Sequence, residues 1–156
     1  MIKFFNLIFI FFSISISSSE QEYLSSQNKF SLLVHKTPTC GCCKKWVKHL
    51  EANRFSTMIK DHQNLQKVKE QYSIKPKYQS CHTAVSQEGY VFEGHIPSKF
   101  IKQFLANPEA DAIGLSVPGM PLGSPGMEVE GRFMPYDVLV LFKDGSSKVY
   151  ARVNKQ

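Results

Sequence analysis

Nowhere does the 156-residue chain offer an uninterrupted apolar stretch approaching the roughly 20 residues that a helix needs to cross a bilayer. Its longest candidate, Phe4 to Phe12, is about half that length, which argues against an uncleaved membrane anchor. No cysteine follows this run closely enough to suggest a lipid-modified N-terminus. There is no internal repeat. There is also no motif that interleaves aromatics with lysines as nucleic-acid modules do, although the formal charge is +6. The lysines, among them Lys44, Lys45, Lys48, Lys67, Lys69, Lys75 and Lys77, are scattered and read as solvated helix faces, not as a nucleic-acid surface.

What is present begins with an address. Lys3, the apolar run and the small residues that follow, with Ser17 and Ser19 at the −3/−1 spacing of a cleavage site, form the pattern of a secretory signal peptide over residues 1–19. Its removal takes only Lys3 from the charge, +6 − 1 = +5. Residues 20–28 (EQEYLSSQN) are a polar leader, and the remainder, 29–156, has the size and composition of one globular domain.

Within that domain, Phe30 to His35 is a short apolar run ending at the turn Thr37-Pro38-Thr39, as a buried strand does. From Cys42 onward, Cys43, Trp46, Val47 and Leu50 fall at helical spacing, with Thr39 as candidate N-cap and Trp46 as core. Phe55 to Asp61 reads as a second strand and Asn64 to Ile74 as a second helix, capped by Asn64. CHTAV and YVFEGHI are two strands about a turn, and a helix SKFIKQFLAN follows Pro97. Strand, helix, strand, helix, strand, strand, helix (βαβαββα) is the order of a thioredoxin-like α/β domain. From Gly114 the chain becomes dense in Gly, Pro and Met, too rich in breakers for regular structure. YDVLVLF and SKVYARV, joined by KDGS, then form a terminal β-hairpin, so residues 114–156 are a loop-and-hairpin extension.

Four motifs, TPTCGCCKKW, SCHTA, GYVFEGHIP and GLSVPGMPLGSPGME, together with the closing YDVLVLFKDG, resemble the CopG-type family of exported proteins associated with bacterial copper resistance. The likeness spans residues 30–150. It implies a thioredoxin-like fold whose CxCC cysteines bind copper, with a multinuclear cluster as one arrangement, and a periplasmic location in a bacterial envelope. His35 stands where the family pattern suggests an aromatic, and Met134 falls in a variable stretch.

The residues themselves point to soft-metal chemistry. A cysteine in the first turn of a helix faces unpaired amides and the positive dipole end, which favours thiolate. Cys40 and Cys43 have the CxxC spacing of a redox pair, but Cys42 adds a third thiol that would invite competing disulfides. In thioredoxin-like domains the position facing the dithiol generally holds a cis-proline. Here it holds Ser80-Cys81-His82. Four sulfurs can therefore converge, or Cys81 can join one of the three in a disulfide.

A zinc tetrahedron is poorly served by adjacent Cys42 and Cys43. Cu(I) accepts two or three soft ligands and tolerates bridging thiolates, so crowding favours it. Met120 and Met127, each after Pro-Gly, add candidate thioethers, whereas Met134 reads as packing. His82 is a candidate ligand or proton donor, but neighbours on a regular strand face opposite ways, so Cys81 and His82 compete for the inward direction. His95 reads as structural, His35 and His62 as surface, and His49 as a helix-face residue.

Two functions follow. One is a copper-binding envelope protein using Cys40, Cys42, Cys43, Cys81, His82, Met120 and Met127, for storage or redox cycling, with other copper-handling envelope proteins as partners. The other is a thiol–disulfide oxidoreductase of exported proteins using Cys40 and Cys43. For the address, intact mass of protein recovered from the envelope is expected to place the mature N-terminus near Glu20; a retained Met1 overturns the cleavage reading.

Overall fold

The computed structural model describes residues 30–155 together with Ser17, so the signal-peptide and leader readings lie outside the described residues apart from Ser17. The elements are β1 (Ser31–Lys36), α1 (Gly41–Ala52), β2 (Ser56–Asp61), α2 (Gln66–Gln71), a 3-10 turn (Pro76–Tyr78), β3 (Thr83–Ser86), β4 (Val91–Glu93), α3 (Ser98–Ala106), β5 (Ala112–Ser116), β6 (Tyr136–Phe142) and β7 (Ser147–Val153). The fold is mixed α/β. Among the described residues the strands form one sheet of seven, in the order β2-β1-β3-β4-β5-β6-β7.

The strands β1 and β2 run parallel across the α1 crossover, while β3 is antiparallel to both β1 and β4. Alternation along the central strands sends side chains to two separate cores. Ala84 and Phe92 join Leu32, Val34 and Leu115 on one face, where Trp46, Val47 and Leu50 of α1 meet Ile101, Phe104 and Leu105 of α3. Val85 and Val91 lie on the other face with Ile74, Tyr78 and Leu141. Trp46 is wholly buried, and its indole N–H donates to the Ile96 carbonyl at 2.9 Å. That bond fixes the first turns of α1 to the chain entering α3.

One strand was hidden in the sequence. The breaker-rich tail was expected to leave regular structure at Gly114, yet Ala112–Ser116 forms β5, parallel to β4 and antiparallel to β6. Gly114 is what makes this possible: a Cβ there would lie 1.8 Å from the Val91 carbonyl oxygen, so the two backbones approach only because the side chain is absent. Beyond it, residues 117–135 carry no strand among the described residues except the isolated bridge Val129–Arg132. The terminal hairpin β6–β7 forms at the expected residues and extends the sheet beyond β5.

Several single-residue expectations need correction. Lys69 is not a solvated helix residue but is buried, and its ammonium contacts the fully buried Glu93 carboxylate. Glu93 also accepts from the Thr83 hydroxyl at 2.6 Å and the Ser80 backbone N–H at 2.6 Å. His35 is buried and not on the surface; its Nδ1 lies 2.8 Å from His62 Nε2, with half-buried His62 covering it. The second helix is shorter than expected, although Asn64 does receive the Gln66 N–H at 2.6 Å.

The Lys69–Glu93 contact differs in kind from the exposed Lys143–Asp111 pair, whose side chains are 69% and 76% exposed; such surface pairs contribute about 0–1 kcal/mol. Glu93→Leu, which strands the buried ammonium, is expected to cost about 3–5 kcal/mol. Lys69→Met with Glu93→Gln removes both charges, keeps an acceptor for Ser80, and should recover most of that loss in urea denaturation. Equal losses in the single and double variants would rule out the buried-charge account.

Candidate metal centre

The turn after β1 delivers the first cysteines to the start of α1. Cys40, not Thr39, is the N-cap: it has extended backbone, and its sulfur accepts from the Cys43 N–H at 3.2 Å, the role usually taken by a Ser or Asp oxygen. Gly41 is therefore the first helical residue, and Cys42 and Cys43 follow in the first turn. The unpaired amides there favour negative sulfur.

Cys40 and Cys43 are joined as a disulfide, leaving Cys42 and Cys81 free, so the sequence alternative of a Cys81 disulfide is not the pairing present. Cys81 nonetheless sits against the other three. Its sulfur is 3.5 Å from Cys43 Sγ and 3.9 Å from Cys42 Sγ, and Cys42 Sγ is 3.5 Å from Cys40 Sγ. All four sulfurs lie within 4.8 Å of one another. Cys43 is wholly buried, whereas the other three are partly exposed.

The expected competition between Cys81 and His82 does not arise, because β3 begins only at Thr83 and the preceding segment is irregular. Glu93 holds the Ser80 N–H, Gly94 N–H bonds the His82 carbonyl at 3.1 Å, and the Ser80 hydroxyl donates to the Gly119 carbonyl. With the backbone so bent, Cys81 Sγ and His82 Nδ1 come to 3.3 Å. No cis peptide occurs among the described residues.

His95, expected to be structural, is part of the cluster: its Nε2 lies 3.1 Å from Cys81 Sγ. Its Nδ1 faces the Pro125 carbonyl at 2.8 Å, and a carbonyl only accepts. The Nδ1 therefore carries the proton and the bare Nε2 faces the sulfur. Burial lowers the His95 pKa and so favours the neutral ring, opposed by the Pro125 bond and Glu128. Burial, and next the neighbouring Cys42, push the Cys81 thiol up to about 12. Cys81 S–H donating to His95 Nε2 satisfies both conditions.

His82 is fully buried between Trp46, ring centroids 4.3 Å apart, and the edge of His95 at 4.9 Å. Burial holds its pKa well below the usual histidine range. Its Nε2 has no hydrogen-bond partner. His49 serves elsewhere, accepting the Ser98 N–H at 3.1 Å at the start of α3.

The loop that bears the methionines borders the sulfurs. Gly119, before Met120, is tied to Gln79 and Ser80, and Gly126, before Met127, packs on α1. At Gly126 φ is +87°, and a Cβ would lie 2.7 Å from the Cys42 carbonyl and 2.8 Å from the Trp46 nitrogen. Met120 is 52% exposed and Met127 half-buried; Met134 is also 52% exposed, a solvent position and not a packed one.

Four sulfurs and two imidazoles without a carboxylate among them make a soft donor set, and the unpartnered His82 nitrogen is what a buried ligand shell looks like before its ion is counted. Two solved structures of the copper resistance protein copG superpose on this chain. Form 1 has a TM-score of 0.75 and 39% identity, covering 81% of this chain and 98% of that one. The chain belongs to the CopG copper-resistance family. Form 2 gives a TM-score of 0.74 at 40% identity, covering 79% and 97%. A family profile described as a protein of unknown function, DUF411, matches residues 78–127, which hold Cys81, His82, His95 and both loop methionines of interest. No curated protein sequence matches the chain.

Within this family member, sequence reasoning missed that His95 borders the candidate centre and that Glu93 and Lys69 lie behind it. A signal was available in VFEGHIP, where a carboxylate and an imidazole interrupt an apolar strand just before a helix. Gly126→Ala is expected to cost about 1–3 kcal/mol through strain at positive φ and to lift the loop from α1. Iodoacetamide should then label Cys42 several-fold faster than in wild type; an unchanged rate with unchanged stability would show that the loop does not shield the sulfurs.

Proposed function

We propose that this chain is a periplasmic copper-binding protein that holds Cu(I) for copper tolerance, through Cys40, Cys42, Cys43 and Cys81, with His82 and His95 behind them. The observation that carries this reading is the convergence of four sulfurs within 4.8 Å from two distant segments of chain. With the Cys40–Cys43 disulfide reduced, four thiolates crowd a space too small for independent sites. Bridging several Cu(I) ions neutralises that charge, whereas a single tetrahedral ion uses adjacent Cys42 and Cys43 poorly. Met120 and Met127 supply thioethers at the rim, and other copper-handling envelope proteins are the natural donors and acceptors of the ion.

The same reading takes residues 1–19 as a cleaved signal peptide, 20–28 as a leader and 29–156 as the working domain. It takes the core as thioredoxin-like. The strand order β2-β1-β3-β4, with β3 alone reversed and the dithiol at the helix after β1, supports that description, and 114–156 is then an extension.

A second reading has its own support: Cys40 and Cys43 form the disulfide of a CxxC pair, as in a thiol–disulfide oxidoreductase. The two readings divide over Cys42 and Cys81. Reduced, anaerobic wild type is expected to bind more than one Cu(I) per chain, in preference to Zn(II). Cys42→Ser with Cys81→Ser should lose most of that copper, because a hydroxyl replaces soft sulfur poorly. An oxidoreductase needs neither residue. Full copper loading in the double variant, or insulin-type disulfide reduction at oxidoreductase rates in both proteins, would overturn the copper reading.

A further inference from the structure

A second pair of metal-binding side chains lies outside the sulfur centre. His35 sits near the end of β1, and His62 follows the last residue of β2. His35 Nδ1 is 2.8 Å from His62 Nε2, and the ring centres are 5.0 Å apart. These distances differ by about two ring radii, so the two nitrogens point at one another almost along one line. Leu32 and Val34 face the core beneath α1, so strand alternation turns His35 to the opposite face of the sheet, where the Tyr72 ring lies 6.3 Å from it. We propose that His35 and His62 form a second metal site, separate from the sulfurs, that holds one Cu(I) in linear coordination between His35 Nδ1 and His62 Nε2. The proposal rests on the copper reading for its choice of metal only, since no cysteine takes part.

Two lone pairs aimed at each other along a line can share a proton, as in the present hydrogen bond, or a two-coordinate cation. Cu(I) is such a cation: it is satisfied by two ligands, and imidazole suits copper. A tetrahedral or octahedral ion needs more donors, and no carboxylate, cysteine or third histidine completes a ligand group with this pair among the described residues. Charge points the same way. Lys60 stands opposite His35 in the β1–β2 register, and an ammonium there opposes a dication more strongly than a singly charged ion. Burial, then His62, then Lys60 lower the His35 pKa, which favours the neutral ring that a metal requires.

The pair can open without disturbing the sheet. With about 2.0 Å from each nitrogen to the ion, the two stand about 4 Å apart, so the present 2.8 Å widens by roughly 1 Å. His35 stays in place, because β1 is laddered on both sides, to β2 and β3. His62 lies beyond its strand and is half-buried, so its ring is the one that retreats. Its backbone is held meanwhile: the His62 N–H donates to the Lys36 carbonyl at 2.9 Å, and the Lys36–Asp61 ion pair at 2.6 Å ties the two strand ends. No proton is released. The bridging proton passes to the far nitrogen of its own ring, which for His35 is the buried and partnerless Nε2.

The test removes the competing thiols. Cys42→Ser with Cys81→Ser, its Cys40–Cys43 disulfide verified by mass, has no free thiol and is given Cu(I) as the acetonitrile complex, without air or reductant. Expected are one Cu(I) per chain and the strong X-ray absorption edge feature of linear two-coordinate Cu(I), with a shell of two nitrogens. Adding His62→Gln, or His35→Gln with His62 kept, should remove both the bound ion and the feature. Proton NMR of the unsubstituted rings makes the test independent of how those variants fold: Cu(I) is expected to shift the His35 and His62 resonances and leave His49 unmoved. A shell of three or more donors, a feature that survives His62→Gln, or unshifted His35 and His62 rings overturns the proposal. Cu(I) loading of reduced wild type, measured in parallel, separates the two readings. Normal loading there with no Cu(I) in the thiol-free variant overturns this inference alone, and failure of both overturns the copper reading as well.

Discussion

A carboxylate with no access to water dictates how this centre is assembled. Glu93 is fully buried, and burial by itself drives its pKa up and disfavours its charge. Lys69, Thr83 and the Ser80 N–H, drawn from α2, the start of β3 and the segment before it, oppose that rise and favour the charged form. Desolvation opposes the attraction, so the pair adds little net stability, but removing one partner leaves the other uncompensated. The useful product of the arrangement is geometric. Because Ser80 gives its N–H to Glu93, the chain from Ser80 to His82 stays out of the β1–β3 ladder, and two consecutive side chains reach the same site.

That geometry produces sulfurs in unlike settings. Cys40, Cys42 and Cys43 lie at the positive end of α1, where a backbone N–H already points at Cys40. Cys81 comes from an irregular segment, is pushed toward its neutral thiol by burial, and has an imidazole nitrogen as acceptor. A centre with three sulfurs at a helix start, two of them joined as a disulfide, and one protonated thiol backed by histidines has chemically distinct halves, although all four sulfurs lie within 4.8 Å of one another.

Much of this was legible before any coordinates. The short apolar strand, the breaker Pro38 and the helical spacing of Cys43, Trp46 and Leu50 together placed the cysteines at a helix start. The clean alternation of YDVLVLF and SKVYARV placed the final hairpin. What escaped depended on distant contacts. Lys69 reads as a surface residue because nothing local reveals the carboxylate arriving from β4, and His35 because its cover, His62, comes from the far end of β2. His95 is committed to the centre by Pro125, thirty positions later. Gly114 looked like a breaker although here it lets two strands touch. The Cys81–His82 conflict assumed a regular strand, and the hydrogen bond from Ser80 to Glu93 removed that assumption.

The seating of Gly126 on the first turn of α1 also gives the centre a direction. With the loop pressed against the Cys42 carbonyl and Trp46 closing the rear, Cys43 has no contact with solvent, while Cys42 and Cys81 retain some. Access is therefore graded: an incoming species meets the partly exposed sulfurs first and the innermost one last. Whatever departs does so in reverse order, so residence time at the inner sulfur is governed by how fast the outer ones exchange.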